Sequence, residues 1–137
     1  MTTIKSLSPN DGLVNIAFES AFFYFIQPCN INGGNVGRKP NTDKRGNPFS
    51  VEVIKQVWDM GNEIPGYSSD VIRLDKCGSK MEFPEHGNRN SDTGWEIDHI
   101  FPVSNHGTDH ISNLQPLNWK NNADKGDNLS WNCPEKS

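Results

Sequence analysis

The stretch of residues 95–127, WEIDHIFPVSNHGTDHISNLQPLNWKNNADKGD, decides which fold the sequence predicts. Its first part, WEIDHIFPV, alternates well enough to predict a strand with Trp95 and Ile97 on one face, and the proline after it should end that strand. The segment LQPL predicts a second short strand, restricted by its proline to an edge or a bulge. The segment NWKNNADKGD predicts a short helix with Asn118 as its N-cap and Gly126 at its end. The predicted order is therefore strand, loop, strand, helix.

Acidic, imidazole and amide side chains are concentrated in the same stretch. Asp98 and His99 are adjacent, so strict alternation would point them to opposite faces unless the strand ends or bulges there. Asn122, on the predicted helix, can close over the same hairpin. Carboxylate and amide oxygens suit a hard cation such as Mg²⁺, and imidazole titrates near neutral pH. The pattern predicts a cation held by Asp98 and Asn122, with His99 beside it as general base.

The sequence before this stretch predicts an additional helix and two short strands. The segment PFSVEVIKQVWDMGN has Ser50 as a plausible N-cap and Gly61 as a plausible end. Its apolar residues recur at helical spacing and predict one stripe that faces the core, consisting of Val51, Ile54, Val57 and Trp58. The segments VIRL and SKMEF predict brief strands. A chain of 137 residues suits one domain with a small core.

The charge balance argues against nucleic acid as a partner, but one local segment is basic. The net charge is -4 and the pI is near 5.5, whereas phosphate binding favours a basic face. The segment NINGGNVGRKPNTDKRGNP is rich in Asn, Gly and Pro, and it carries Arg38, Lys39, Lys44 and Arg45. Two interpretations stay open: a solvated, mobile linker, or a basic arm that follows the phosphates of DNA.

Cysteine and histidine spacing bears on metal binding and on the cellular compartment. Three widely spaced cysteines without a Cys-x-x-Cys pair make a cysteine zinc knuckle unexpected and fit reduced thiols in a reducing compartment. The N-terminal residues fit neither a signal peptide nor a membrane span, so we expect an intracellular, cytoplasmic protein. The spacing of His99, His106 and His110 permits an alternative zinc site.

The motifs WEIDHIFP and SNLQPLNWKNNADKGD together resemble the HNH endonuclease family, whose fold is called ββα-metal. A looser resemblance extends back through VWDMGNEIPGY, LDKCGS and GNRNSDTG, whereas residues 1–48 carry none. Three features depart from the family pattern. The cysteine pairs that brace many members with zinc are absent, His106 and Gly107 replace two glycines, and His110 stands where an acid is common.

The resemblance implies a fold class and a role for individual residues. It implies a small α+β domain over residues 49–131 with the ββα-metal hairpin and helix at its C-terminal end, preceded by the segment 1–48 and followed by a tail at 132–137. Asp98 and Asn122 would be the metal ligands and His99 the general base. Asn113 would bond to backbone across the loop and orient His99. Lys125, and with it Lys120 on the same helix, would contact DNA phosphates.

The function that these residues predict is a metal-dependent DNA endonuclease with one divalent cation, Mg²⁺ or alternatively Mn²⁺. The alternatives are an inactive HNH-like module that only binds nucleic acid, an RNase, and a zinc-braced structural domain. DNA is the expected partner and no membrane is expected. The sequence predicts neither the DNA target nor the oligomeric state.

Overall fold

A computed structural model describes residues 37–136 of the chain. The apolar segment at residues 13–26, Cys29 and the earlier part of the predicted linker lie outside this range. Within it, two helices and two antiparallel sheets form an α+β structure, as predicted. The elements are, in chain order, α1 (Val51–Trp58), β1 (Ile72–Leu74), β2 (Lys80–Glu82), β3 (Trp95–His99), β4 (Leu114–Asn118) and α2 (Trp119–Lys125). None of the described helices is both long enough and apolar enough to cross a bilayer.

Helix α1 begins at the predicted cap. The side chain of Ser50 accepts a hydrogen bond from the Val53 amide at 3.2 Å, which satisfies one of the free donors of the first turn. Val57 and Trp58 are completely buried, and Ile54 packs partly against the core. The prediction was wrong for Val51, which is 76% exposed because the first turn extends beyond the surface that α1 packs against.

Strands β3 and β4 form the antiparallel pair that carries most of the polar residues of interest. Asp98 lies opposite Gln115 and His99 lies opposite Leu114. Pro116 lies in β4, which pairs only with β3 within residues 37–136, and an edge strand of this kind tolerates the missing amide of proline. All five residues of β3 are buried, so both of its faces are covered by protein.

Aromatic packing joins α1 to β3. The rings of Trp58 and Trp95 lie 5.1 Å apart between centroids, and Phe83 meets Trp58 edge to face at 5.3 Å. Met81 of β2 and Ile97 of β3 complete the centre of this core. The core therefore fixes β3 from one side and leaves its other side to the polar residues.

The second edge of β3 is covered by residues 86–87 and by Asn41, which lies in the segment that the sequence left open as a linker or a basic arm. The Asn41 side-chain oxygen accepts a hydrogen bond from the Ile97 amide at 2.8 Å and lies 3.1 Å from His86 Nε2. The Gly87 amide donates to the Trp95 carbonyl at 2.8 Å. Within the segment 38–48, Asn41 thus satisfies a backbone amide of the buried strand, which a mobile linker would not do. A domain boundary at residue 49 would separate this segment from the strand it covers.

A buried carboxylate connects the turn between β1 and β2 to the start of α2. Asp75, only 1% exposed, accepts hydrogen bonds from the amides of Cys77 and Ser79, both at 2.9 Å. Its other oxygen accepts from the Asn118 amide at 2.9 Å and from Asn121 Nδ2 at 2.8 Å. Asn121 is itself buried, and its side chain supplies one of the donors that the buried carboxylate requires.

A disulfide joins Cys77 to Cys133 and corrects the prediction of reduced thiols for these two residues. It attaches the segment after α2 to the turn between β1 and β2. Lys136 Nζ adds a hydrogen bond to the Gly78 carbonyl at 3.3 Å. The predicted tail at 132–137 is therefore covalently linked to the domain. Because two of the widely spaced cysteines form a disulfide, their spacing no longer supports a reducing compartment.

Candidate active site

A pocket of about 220 Å³ opens between β3, α2 and the segment that precedes α1. Asp98, His99 and Asn122, three of the residues that the sequence singled out, line this pocket together. Arg38 and Arg89 line it as well and supply positive charge. The neighbouring pair Asp98 and His99 reaches one site because β3 ends at His99 and both faces of the strand are enclosed.

Asp98 is held from two sides in the wall of the pocket. One carboxylate oxygen accepts from Gln115 Nε2 at 2.9 Å, and the other lies 3.2 Å from Lys125 Nζ. Burial raises the pKa of the Asp98 carboxyl, although Gln115, Lys125 and His99 all act in the opposite direction. Because each oxygen retains a free lone pair, the carboxylate can still accept a further ligand.

Asn122 is oriented by the buried carboxylate of an ion pair behind it. Its Nδ2 donates to Glu96 Oε1 at 2.7 Å, which leaves the side-chain oxygen free as an acceptor. The Arg89 guanidinium donates two hydrogen bonds, of 2.7 and 2.8 Å, to the same Glu96 carboxylate. The Glu96 carboxylate in turn raises the pKa of the Arg89 guanidinium. Glu96 therefore serves both as the salt-bridge partner of Arg89 and as the acceptor that orients Asn122.

His99 lies in the pocket wall with its ring almost fully enclosed. The exposed fraction of the residue is 4%, and its ring centroid lies 5.9 Å from that of Phe49. His99 Nε2 lies 2.7 Å from an oxygen of Asp109. One ring nitrogen, Nε2, is thus occupied by Asp109.

Asn113 closes the loop between β3 and β4 through its side chain. Its oxygen accepts from the Phe101 amide at 2.8 Å, and its Nδ2 donates to the carbonyls of Phe101 at 3.1 Å and Thr108 at 2.8 Å. Gly107 is needed in this loop, because a Cβ there would lie 1.8 Å from the Phe101 carbonyl oxygen. The loop that follows His99 therefore has one fixed shape.

The six basic residues predicted to bind DNA lie in three different settings. Lys125 is buried and bonds to Asp98 and the His99 carbonyl, so its predicted phosphate contact is wrong: the ammonium is enclosed. Lys120 is exposed and pairs with Asp92 at 2.9 Å. Arg38 lines the pocket. The remaining three are exposed and do not line it: Lys39, Lys44 and Arg45.

The donor atoms in the described residues suit a hard cation and not zinc. In residues 37–136 no three His, Cys, Asp or Glu side chains are grouped to hold a metal ion, which removes the zinc site of His99, His106 and His110. Asp98 and Asn122 instead offer one carboxylate and one amide oxygen to the same pocket. That oxygen pair fits a hard cation which keeps several waters.

Sequence reasoning missed Arg89 and Asp109 and did not connect Glu96 to the pocket. Glu96 lies two residues before Asp98, so period-two alternation placed both on one face and could have joined them. Arg89 and Asp109 lie in irregular loops, where no periodicity indicates which side chain returns to the strand. Only the folded chain brings them to the site.

Comparison with family models of known proteins gives a match to part of the chain. Residues 87–131 match the family model described as HNH endonuclease. The chain has no significant match among curated proteins or among solved structures. The matched range contains β3, β4 and α2 with Asp98, His99, Asn113 and Asn122. The match confirms the resemblance to the HNH endonuclease family that the motifs in residues 87–131 carry.

Proposed function

We propose that the protein is a metal-dependent endonuclease that hydrolyses phosphodiester bonds of DNA, with β3, β4 and α2 forming its ββα-metal motif. The observation that carries this proposal is the pocket in which Asp98, His99 and Asn122 meet. The family match supports nuclease activity in general. Two arginines at the pocket support an anionic substrate, despite the acidic total charge.

Asp98 and Asn122 would hold one divalent cation, Mg²⁺ or alternatively Mn²⁺. When bound, such a cation would neutralise the negative charge that develops at the phosphate as the bond breaks. The hydrogen bonds from Gln115 and to Glu96 would keep the two ligand oxygens in place before the cation arrives.

His99 would act as the general base through the ring nitrogen that Asp109 does not occupy. It takes a proton from a water molecule, whose oxygen attacks phosphorus as the bond from phosphorus to the 3′ oxygen breaks. Arg38 and Arg89 would bind the phosphate. Asn113 would keep the loop after His99 in the shape that the reaction requires. The family resemblance implies 5′-phosphate and 3′-hydroxyl ends.

The direct test is incubation of supercoiled plasmid with Mg²⁺, Mn²⁺ or a chelator. We expect cleavage with metal only, and a loss of about 10²–10⁴-fold in rate for His99→Ala, since that is the usual contribution of a general base. Asp98→Ala and Asn122→Ala should each weaken Mn²⁺ binding in calorimetric titration, whereas His99→Ala should not. His110→Ala, at an exposed histidine outside the pocket, is the control.

Three results would contradict the proposal in different ways. Cleavage by His99→Ala at the wild-type rate would show that His99 is not the general base. Unchanged Mn²⁺ affinity in both Asp98→Ala and Asn122→Ala would show that these residues do not bind the cation. DNA binding without cleavage under every metal condition would leave the inactive binding module, and labelled RNA cut in preference to DNA would identify an RNase.

The basic arm gives a separate prediction for DNA affinity. Changing Lys39, Lys44 and Arg45 to Ala should lower affinity and flatten its salt dependence by up to about one unit of slope per lost phosphate contact. Arg38→Ala should reduce cleavage as well, because Arg38 lines the pocket. Fluorescence anisotropy at several salt concentrations measures both effects, with exposed Lys80→Ala as control. Equal slopes for the triple variant and the wild type would show that the arm makes no phosphate contacts.

A further inference from the structure

We propose that Asp109 is a positioning residue for His99, and that the backbone of the segment before α1 holds Asp109 in place. This inference rests on the proposed function, since it assigns a partner to the proposed base. It makes the segment 38–48 a structural part of the catalytic centre.

The contact between the two side chains fixes the protonation pattern of the imidazole. Asp109 Oδ1 lies 2.7 Å from His99 Nε2. A carboxylate can only accept a hydrogen bond, so Nε2 must carry the hydrogen. Neutral imidazole has one N–H, which leaves the lone pair on Nδ1. Asp109 therefore selects the nitrogen that takes the proton from water.

Two contacts from different parts of the chain hold Asp109 itself. The backbone amide of Lys44 donates to both carboxylate oxygens, at 3.0 and 3.2 Å. Asn113 Nδ2 bonds to the carbonyl of Thr108, the residue directly before Asp109. The carboxylate is one-third exposed, so burial alone does not hold it. Its position depends on these hydrogen bonds.

The charge of the Asp109 carboxylate has a role in the proposed reaction beyond satisfying the His99 N–H group. A neutral acceptor would suffice to satisfy an enclosed N–H group. A carboxylate also stabilises the imidazolium that forms when His99 receives a proton, and it prevents the ring from rotating. We therefore expect Asp109 to affect the chemical step and to leave DNA binding nearly unchanged.

The first measurement is the tautomer of His99, read from side-chain nitrogen chemical shifts in NMR at alkaline pH. In the wild type we expect a single tautomer with the hydrogen on Nε2. Asp109→Ala removes the acceptor and should give a mixture of tautomers, whereas Asp109→Asn keeps an acceptor oxygen and should retain more of the wild-type form. The same spectra report whether each variant is folded. A wild-type tautomer in the Ala variant would overturn the proposal.

The second measurement is plasmid cleavage at saturating Mg²⁺. For Asp109→Ala we expect kcat to fall by about 10²-fold or more with KM within about twofold, because a misoriented base loses much of a general-base contribution. Asp109→Asn should lie between that variant and the wild type. Asp70→Ala, which removes an exposed carboxylate that does not line the pocket, should match the wild type. An Ala variant with wild-type kcat would also overturn the proposal. If the wild type cleaves nothing, the proposed function fails, and the tautomer measurement still decides the placement of His99.

Discussion

Lys125 has an uncommon place for a lysine, since only 4% of it is exposed. Its ammonium lies 3.2 Å from an Asp98 oxygen and donates to the His99 carbonyl at 3.0 Å. It thus supplies the cation that accompanies the buried Asp98 carboxylate. The motif around Asp98, His99 and Asn122 could be recognised in the sequence. The direction of the Lys125 side chain could not, because a lysine on a short helix is usually solvated and only the closed hairpin encloses it.

Lys125→Met should lower the free energy of unfolding by about 3–5 kcal/mol, because it leaves a buried carboxylate without its ionic partner. The matched control is Lys120→Met on the same helix, whose exposed pair with Asp92 should be worth no more than about 1 kcal/mol. Urea unfolding of both variants without divalent metal gives the comparison. Equal losses would show that Asp98 needs no cation from the protein.

At the scale of elements, β3 is enclosed on each side by a different structure. Strand β4 pairs with one edge, and Asn41, His86 and Gly87 cover the other. The alternation of WEIDH predicted the strand correctly, but it could not show that all five residues are buried. A period-two pattern of apolar and polar residues is typical of a strand with one solvent-exposed face. In β3 the face that carries Glu96 and Asp98 is also covered by protein.

His86 makes this edge cover sensitive to acid. Burial lowers the pKa of His86, although Glu96 acts in the opposite direction, and the ring packs 4.6 Å from that of Trp95. The unfolded chain therefore binds a proton more readily than the folded one. Stability should be constant at high pH and should fall as the pH drops below the ordinary histidine pKa of about 6.5.

Urea unfolding at a series of pH values measures this dependence. His86→Phe keeps an aromatic ring against Trp95 and should remove part of the loss between neutral and mildly acidic pH. His110→Gln, at an exposed histidine, should keep the wild-type dependence. A wild-type slope in the Phe variant would show that other groups cause the acid sensitivity.

At the scale of the whole molecule, a covalent link and a buried carboxylate join the same turn to the C-terminal part of the domain. Asp75 bonds to the start of α2, and Cys77 is joined to Cys133. Neither connection could be read from the sequence. Spacing does not determine which cysteines pair. The aspartate in the segment LDKCGS resembles a surface turn residue in the sequence, because two of its hydrogen-bond donors lie 43 and 46 residues further along the chain.

Replacing both Cys77 and Cys133 with Ser should lower the free energy of unfolding by about 4 kcal/mol, the chain-entropy value for a loop of this length. The separation of the two cysteines is 56 residues. Denaturant unfolding with and without a thiol reductant checks this. The reductant should reproduce the effect in the wild type and add nothing in the double variant. If the reductant leaves wild-type stability unchanged, the bridge is not formed in the protein.

The hydrogen bond that Asn41 accepts from β3 and the one that the Lys44 amide donates to Asp109 also set limits on protein engineering. A protein fragment that begins at α1 would contain every residue of the motif. It would lack Asn41, which accepts the hydrogen bond of the Ile97 amide, and Lys44, whose amide donates to Asp109. A fusion of the motif to a DNA-targeting protein should therefore include the roughly ten residues that precede α1. A fusion junction belongs upstream of Arg38, and sequence similarity to the family, which starts at residue 87, gives no guide to that choice.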